Sequence, residues 1–337
     1  MAKIAVNGLG RIGRAALKIL HDTPGVEVTA VNDLVDAGNL AYLLTHDTVY
    51  GRYGKSVTAA GDDALVVDGH TVPLYHRHDP AELPWGELGV DLVLECTGAF
   101  RHEEELARHL SAGARFVILS APAAGPETLA TVVHGVNSIA DGQRIISCAS
   151  CTTNCITPVV EVMGRRIGVE RAVMTTVHAY TATQQLVDGP HKDFRRGRAG
   201  AANMLPATTG AARATTKALP ELAGRFDGVA VRVPIPVGSI ADITLVTARP
   251  TSPEEINDIF REEAATARYQ DVIGVSDEPL VSSDIIGDPR ASVVDAAMTR
   301  VVDGTLAKVM SWYDNEWGFT HQMVREALSV LGVSPPR

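Results

Sequence analysis

The sequence is short of three things. No apolar run approaches the roughly 20 residues that cross a bilayer as a helix; cations are outnumbered, 30 Lys and Arg against 40 Asp and Glu for a formal net charge of -10; and there are only four cysteines in 337 residues. The first lack excludes a transmembrane helix. The second excludes nucleic acid as the main partner, because phosphate backbones are held by an excess of Lys and Arg. The third excludes a disulfide framework, all the more because Cys148, Cys151 and Cys155 crowd together and leave only Cys96 apart. The chain also lacks internal repeats, low-complexity segments and the charged, apolar and cleavage regions of a signal peptide, since Met1-Ala2-Lys3-Ile4 runs straight into a strand-like segment. A soluble, cytoplasmic protein in a reducing compartment is the expectation.

What is present is ordinary for a globular protein: 45% hydrophobic and 21% charged residues, in a chain long enough for two domains. The first half alternates short β-rich runs with helical patterns, which predicts a parallel α/β sheet. The runs are Ile4 to Val6, Val26 to Val31, Asp91 to Cys96, Phe116 to Ser120 and Ile145 to Cys148, several of them apolar throughout, as strands buried on both faces are. Beyond about residue 150 the β-runs lengthen, with Arg171 to Tyr180, Gly228 to Pro234 and Asp242 to Ala248 and a helix over Ser252 to Ala265, which predicts a second, α+β domain. A last amphipathic helix spans Asn315 to Leu331, and pattern alone leaves open which domain it joins.

Gly8, Gly10 and Gly13 form G-x-G-x-x-G between a strand and a helical run from Arg11 to Leu20. These glycines permit a tight turn and close backbone approach to a pyrophosphate, and the helix start offers free N–H groups and a positive dipole end. The next strand ends in Asp33, placed to bind both ribose hydroxyls and to repel a 2′-phosphate, which favours NAD over NADP.

Cys151 follows a strand and precedes the helical stretch Ile156 to Arg165, so it falls near a helix N-terminus. A helix dipole or an imidazolium partner lowers a thiol from about 8.5 and populates the nucleophilic thiolate. Cys155, one turn on, reads as structural. The Cys-x2-Cys-x3-Cys spacing invites a metal or iron-sulfur site, but its ligands would be split between strand end and helix with no fourth nearby, so no metal is assigned. Among eleven histidines, His178 stands in a β-run that leads into the basic stretch His191 to Arg198, a local exception in an acidic chain and sized for a small phosphate. His76, His78, His102, His109 and His191 read as surface residues.

The blocks Asn7-Gly8-Leu9-Gly10-Arg11-Ile12-Gly13-Arg14, Ala149-Ser150-Cys151-Thr152-Thr153-Asn154, Thr175 to Thr181, Thr208 to Ala212, Val231 to Pro234 and Ser311 to Gly318 resemble the glyceraldehyde-3-phosphate dehydrogenase family over nearly the whole chain. The resemblance implies a homotetramer whose Rossmann NAD-binding domain is residues 1–150 plus 315–337, with a catalytic α+β domain over 151–314. It implies that Cys151 attacks the aldehyde of glyceraldehyde 3-phosphate, that His178 takes the proton and steadies the oxyanion, and that the thioester is cleaved by inorganic phosphate. Thr181 and Arg232 would hold the substrate phosphate; Ser150, Thr152, Thr209 and Gly210 the attacking one, with Arg196 nearby. Asn7, Gly8, Gly10, Arg11, Ile12, Gly13, Asp33, Thr97 and Ser120 would line the cofactor site, and Asn315 would fix the nicotinamide amide.

Several positions depart from the family pattern: Leu9 for an aromatic, His78 for an Arg, Thr183 for an Asp, Phe319 for a Tyr, and Pro236-Val237-Gly238-Ser239 where many members carry Asn-Val before the Ser. That last segment is expected near the phosphate and subunit contacts. Gly189 before Pro190 also replaces a common Leu, so the cofactor choice rests mainly on Asp33. The alternatives are erythrose-4-phosphate dehydrogenase, a relative that hydrolyses its thioester, and a non-catalytic thiol redox sensor built on Cys151. The two sets of phosphate donors and the intact His178 favour the phosphorylating enzyme.

Overall fold

The computed structural model describes residues 1–125 and 129–334. The chain forms two compact units, one made of Met1–Val132, Ile139–Ala149 and residues from Met323 onward, the other of Val133–Ser138 and Ser150–Gln322. Asn315 thus groups with the second unit, and the division falls inside the C-terminal helix Trp317–Val330.

In the first unit, parallel strands run through the sheet in the order His70–Tyr75, Val26–Asn32, Ala2–Asn7, Leu92–Glu95, Phe116–Leu119, Ile145–Ser147, with the two-residue parallel strand Ala130–Thr131 at the edge beyond these six. Numbering the six longer strands along the chain gives 3-2-1-4-5-6, the order of a dinucleotide-binding Rossmann sheet, so the expected fold class holds. The central strands Leu92–Glu95 and Phe116–Leu119 are buried at every position, which explains their unbroken apolar runs. Two short antiparallel strands, Val57–Ala59 and Ala64–Val67, extend the edge beyond His70–Tyr75. One expectation fails here. His109 is completely buried, not a surface residue: it lies on the inner face of helix Glu103–Ser111, where Trp85 Nε1 donates to its Nδ1 at 3.0 Å and its Nε2 meets Glu95 Oε2 at 3.1 Å. Two polar partners inside the core stabilise what water would otherwise solvate.

In the second unit the strands run Leu205–Thr208, Phe226–Val233, Val169–Ala179, Ser239–Thr247, Leu306–Tyr313, Ser292–Asp295, Ile273–Ser276, mostly antiparallel. Helices Cys151–Arg166, Ala211–Ala218 and Pro253–Ala264 supply Val159, Met163, Ala212, Ile256 and Phe260 to a core shared with Met174, Ile243 and Val309 of the sheet. Alternation along Val169–Ala179 turns Met174, Thr176 and His178 inward and leaves Val173 outward and half exposed. The pleat therefore puts His178 on the helix-covered face.

Candidate active site

The cysteine's helix starts five residues before the apolar pattern that foretold it. Ser150 is the N-cap, its Oγ accepting from the Thr153 N–H at 3.1 Å, and Cys151 is the first helical residue. Thr152, Thr153 and Asn154 are poor helix formers, but all three are buried, and packing outweighs propensity. Ala149, just before the cap, has φ +58°, a left-handed conformation rare outside glycine, which sharpens the turn into the helix.

Cys151 Sγ lies 3.3 Å from His178 Nε2. His178 Nδ1 is 2.7 Å from the Ala179 carbonyl, and the tautomer that gives its proton to this acceptor turns the Nε2 lone pair toward the thiol. Arg232 is the register partner of His178 on the parallel strand Phe226–Val233; its Nη1 donates to the same carbonyl at 3.1 Å and stands 2.5 Å from Nδ1, a donor that competes with a proton on that nitrogen. Burial, and then this guanidinium, push His178 down to about 3, so its ring is neutral at physiological pH. Burial also pushes the Cys151 thiol above its ordinary value, against an opposing pull from Arg232. Burial of both groups thus works against the thiolate that the helix start favours, while Arg232 and the Thr152 N–H and hydroxyl pull the thiol the other way.

Tyr313, which sequence reading quoted in a matching block but gave no role, completes this cluster. Its fully buried hydroxyl bonds Thr152 Oγ1 at 2.9 Å and Thr176 Oγ1 at 2.8 Å, and its ring meets that of His178 edge-on at 5.9 Å. It ties the cysteine's helix to the histidine's strand. Asn315 Oδ1 accepts from the Gly238 N–H at 3.1 Å and the Ser239 hydroxyl at 2.9 Å, so its amide presents Nδ2 as the free donor. The departure at Gly238 has a physical reason: φ is +93°, and a Cβ there would meet Ser282 O at 2.3 Å. Thr181, Thr183 and Arg196 form a second polar group, with Thr183 Oγ1 2.9 Å from both Thr181 Oγ1 and Arg196 Nη1. Thr209 and Gly210 start helix Ala211–Ala218, with Thr209 Oγ1 accepting from the Ala211 N–H at 3.1 Å.

In the first unit, Asn7, Gly8, Gly10, Asp33 and Thr97 line one cleft of about 420 Å³ at the carboxyl ends of the parallel strands. A Cβ on Gly8, where φ is +91°, would meet the Thr97 N at 2.6 Å, and one on Gly13 would meet the Gly8 carbonyl at 1.8 Å, whereas one on Gly10 would meet nothing within 4 Å. Gly8 and Gly13 are therefore required by packing, and Gly10 opens the backbone to a ligand. Helix Arg11–His21 has no side-chain cap at Gly10, and its N-terminal dipole end favours an anion there. Asp33 is anchored by the Leu9 N–H at 2.6 Å. These residues fit a dinucleotide. Arg11 pairs with Asp47 and, like Ile12, Gly13 and Ser120, does not line the cleft; Ser120 follows strand Phe116–Leu119 and is hydrogen-bonded to Cys96. Among the described residues no group of three or more His, Cys, Asp and Glu side chains is arranged for a metal.

Comparison with known proteins agrees with this architecture. Residues 2–103 match the NAD binding domain of glyceraldehyde 3-phosphate dehydrogenase, and residues 150–315 match its C-terminal domain. The glyceraldehyde-3-phosphate dehydrogenase of Kitasatospora aureofaciens is 48% identical over 328 residues, 96% of this chain and 97% of the relative. Those of Zymomonas mobilis and Mycobacterium avium are each 46% identical, over 96% and 98% of this chain and 97% and 99% of their own lengths. With a Rossmann sheet of the right strand order, a cleft fit for a dinucleotide, and a cysteine–histidine pair in the second unit, the chain belongs to the glyceraldehyde-3-phosphate dehydrogenase family of NAD-dependent enzymes.

Proposed function

We propose that this protein oxidises D-glyceraldehyde 3-phosphate with NAD and inorganic phosphate to 1,3-bisphosphoglycerate, the phosphorylating step of glycolysis. The observation that carries the reading is the Cys151 thiol 3.3 Å from a neutral His178 Nε2. His178 takes the thiol proton as sulfur adds to the aldehyde carbon, and the imidazolium so formed donates to the new oxyanion, giving a thiohemiacetal. His178 then accepts the hydroxyl proton as the carbon gives up hydride. NAD, when bound, would supply the hydride acceptor, and Asn315, with Nδ2 left as donor, would hold its nicotinamide amide. The product on Cys151 is a thioester, and a phosphate oxygen attacks its carbonyl to expel the sulfur as the acyl phosphate leaves.

Two anions must be held. Thr181 and Arg232 are assigned the substrate phosphate; Ser150, Thr152, Thr209 and Gly210 are assigned the incoming one, with Arg196 adding charge. Support for these assignments is donor chemistry, since each offers a hydroxyl, a guanidinium or a backbone N–H. The cytoplasm is the proposed compartment; among the described residues no helix is long and apolar enough to cross a membrane.

The test follows NADH absorbance with glyceraldehyde 3-phosphate and NAD, with and without inorganic phosphate, for wild type and Cys151→Ser. Phosphate-dependent NADH formation that the variant loses is the expected result. Turnover indifferent to phosphate would instead identify a hydrolytic enzyme, and no turnover with glyceraldehyde 3-phosphate or erythrose 4-phosphate a redox sensor.

A further inference from the structure

The cofactor cleft is held from behind by a side chain that the reading above does not use. Glu95 ends strand Leu92–Glu95 with no solvent exposure, and four donors converge on its two oxygens. Oε2 accepts from Asn7 Nδ2 at 2.5 Å and from His109 Nε2 at 3.1 Å. Oε1 accepts from the Thr97 backbone N–H at 2.8 Å and also from the Thr97 hydroxyl. Trp85 Nε1 points at His109 Nδ1 from 3.0 Å. An indole N–H only donates, so Nδ1 holds the lone pair, Nε2 holds the proton, and the ring is a neutral donor to Glu95.

This fixes the direction of every bond that follows. Asn7 turns Nδ2 to Glu95, and its Oδ1 accepts from Asn32 Nδ2 at 2.7 Å, while Asn32 Oδ1 accepts from the Arg77 N–H at 2.8 Å. A flip of either amide would set donor against donor. The relay ends on Glu95, which only accepts, and Asn7, Asn32, Arg77 and Thr97 all line the cleft. Thr97 is also the residue against which the Gly8 turn closes, a Cβ on Gly8 meeting its N at 2.6 Å.

We propose that Glu95 is a positioning residue for the dinucleotide: a buried acceptor that orients the Asn7 amide and anchors Thr97 against the Gly8 turn, itself braced from the core by His109 and Trp85. A glutamine of the same shape cannot replace it, because its NH₂ would face two of the four donors. The proposal rests on the cofactor reading of the cleft and on no other part of the mechanism.

Calorimetric NAD titration of wild type, Glu95→Gln, His109→Phe and His109→Gln, each with its Tm and its KM for glyceraldehyde 3-phosphate, tests it. Glu95→Gln is expected to weaken NAD binding by about tenfold or more, with the aldehyde KM within about twofold of wild type. His109→Phe, which substitutes a side chain outside the cleft, is expected to weaken NAD severalfold. His109→Gln is expected to restore it, since its amide accepts from Trp85 and donates to Glu95 together. A folded Glu95→Gln protein that binds NAD as tightly as wild type overturns the proposal, as does a fall in Tm with NAD affinity unchanged. Should Glu95→Gln fail to fold, equal NAD affinities in the two His109 variants overturn it. Wild type that binds no NAD would sink the cofactor reading and the proposal together; tight wild-type binding with an unaltered Glu95→Gln constant sinks the proposal alone.

Discussion

His178 keeps a lone pair toward the sulfur only by remaining neutral, and the burial and the guanidinium that keep it neutral have a cost in acid. Its folded value of about 3 lies below the ordinary 6.5. Between those values the unfolded chain binds a proton that the folded chain does not, so stability falls as pH drops through that window. At pH 5 the loss from this one residue is about 2 kcal/mol. Urea unfolding at pH 7.5 and pH 5 should show wild type losing that much more stability than His178→Asn; equal losses would refute the assignment. Tyr313→Phe should lower the unfolding free energy by about 1–3 kcal/mol, because Thr152 and Thr176 lose the hydroxyl that bridges them in the core. Cys151 was legible from its place before a helical pattern, whereas Tyr313 carried no local signal, because its role is a bridge to Thr152, 161 residues away.

At the scale of elements, the cysteine's helix is tied to helix Pro253–Ala264 at its far end. Glu263 receives Arg165 Nη2 at 2.8 Å and Arg166 Nη1 at 2.6 Å, and Arg165 above all holds its carboxyl below the usual range. That support is present above the ordinary carboxyl pKa and is lost as pH falls through the lowered one. Glu263→Gln should cost about 1–3 kcal/mol at pH 7 and progressively less in acid, read from thermal unfolding across pH; a cost that does not change with pH would contradict it. Gly13→Ala should abolish NAD binding, since its Cβ would stand 1.8 Å from the Gly8 carbonyl and the turn would have to open; calorimetry measures this directly. Strands with continuous apolar runs were readable in advance. Leu306–Tyr313 was not, although it pairs along its length with Ser239–Thr247. Its inward residues are Ala307, Val309, Ser311 and Tyr313, its outward ones Leu306, Lys308, Met310 and Trp312, so hydropathy does not separate its two faces. His70–Tyr75 hid for another reason, since Pro73 within a run argues against a strand.

On the molecular scale, the second unit leaves large apolar side chains in water. Leu186, Val187, Phe194 and Met204 are more than 70% exposed, and Val173 and Val229 more than half. We propose that other copies of the chain cover them, in the homotetramer that the family resemblance implies. Sedimentation velocity should give a species near four times the 35.7 kDa chain mass, and Leu186→Asp with Phe194→Asp should shift it to smaller species. A wild-type monomer at micromolar concentration would refute this. By itself the sequence determined the features that a motif and its flanking strand or helix place: the Gly8-Gly10-Gly13 loop between strand and helix, Asp33 at the next strand end, Cys151 near a helix start. Local geometry and propensity suffice for these. Only the tertiary structure decided that His178 faces Cys151 across 27 residues, that Arg232 stands beside His178 across 54, and that Glu95 and His109 share a buried bond. Such pairings follow from strand register and from which face of a sheet the helices cover, and neither leaves a mark on the residues nearby in the chain.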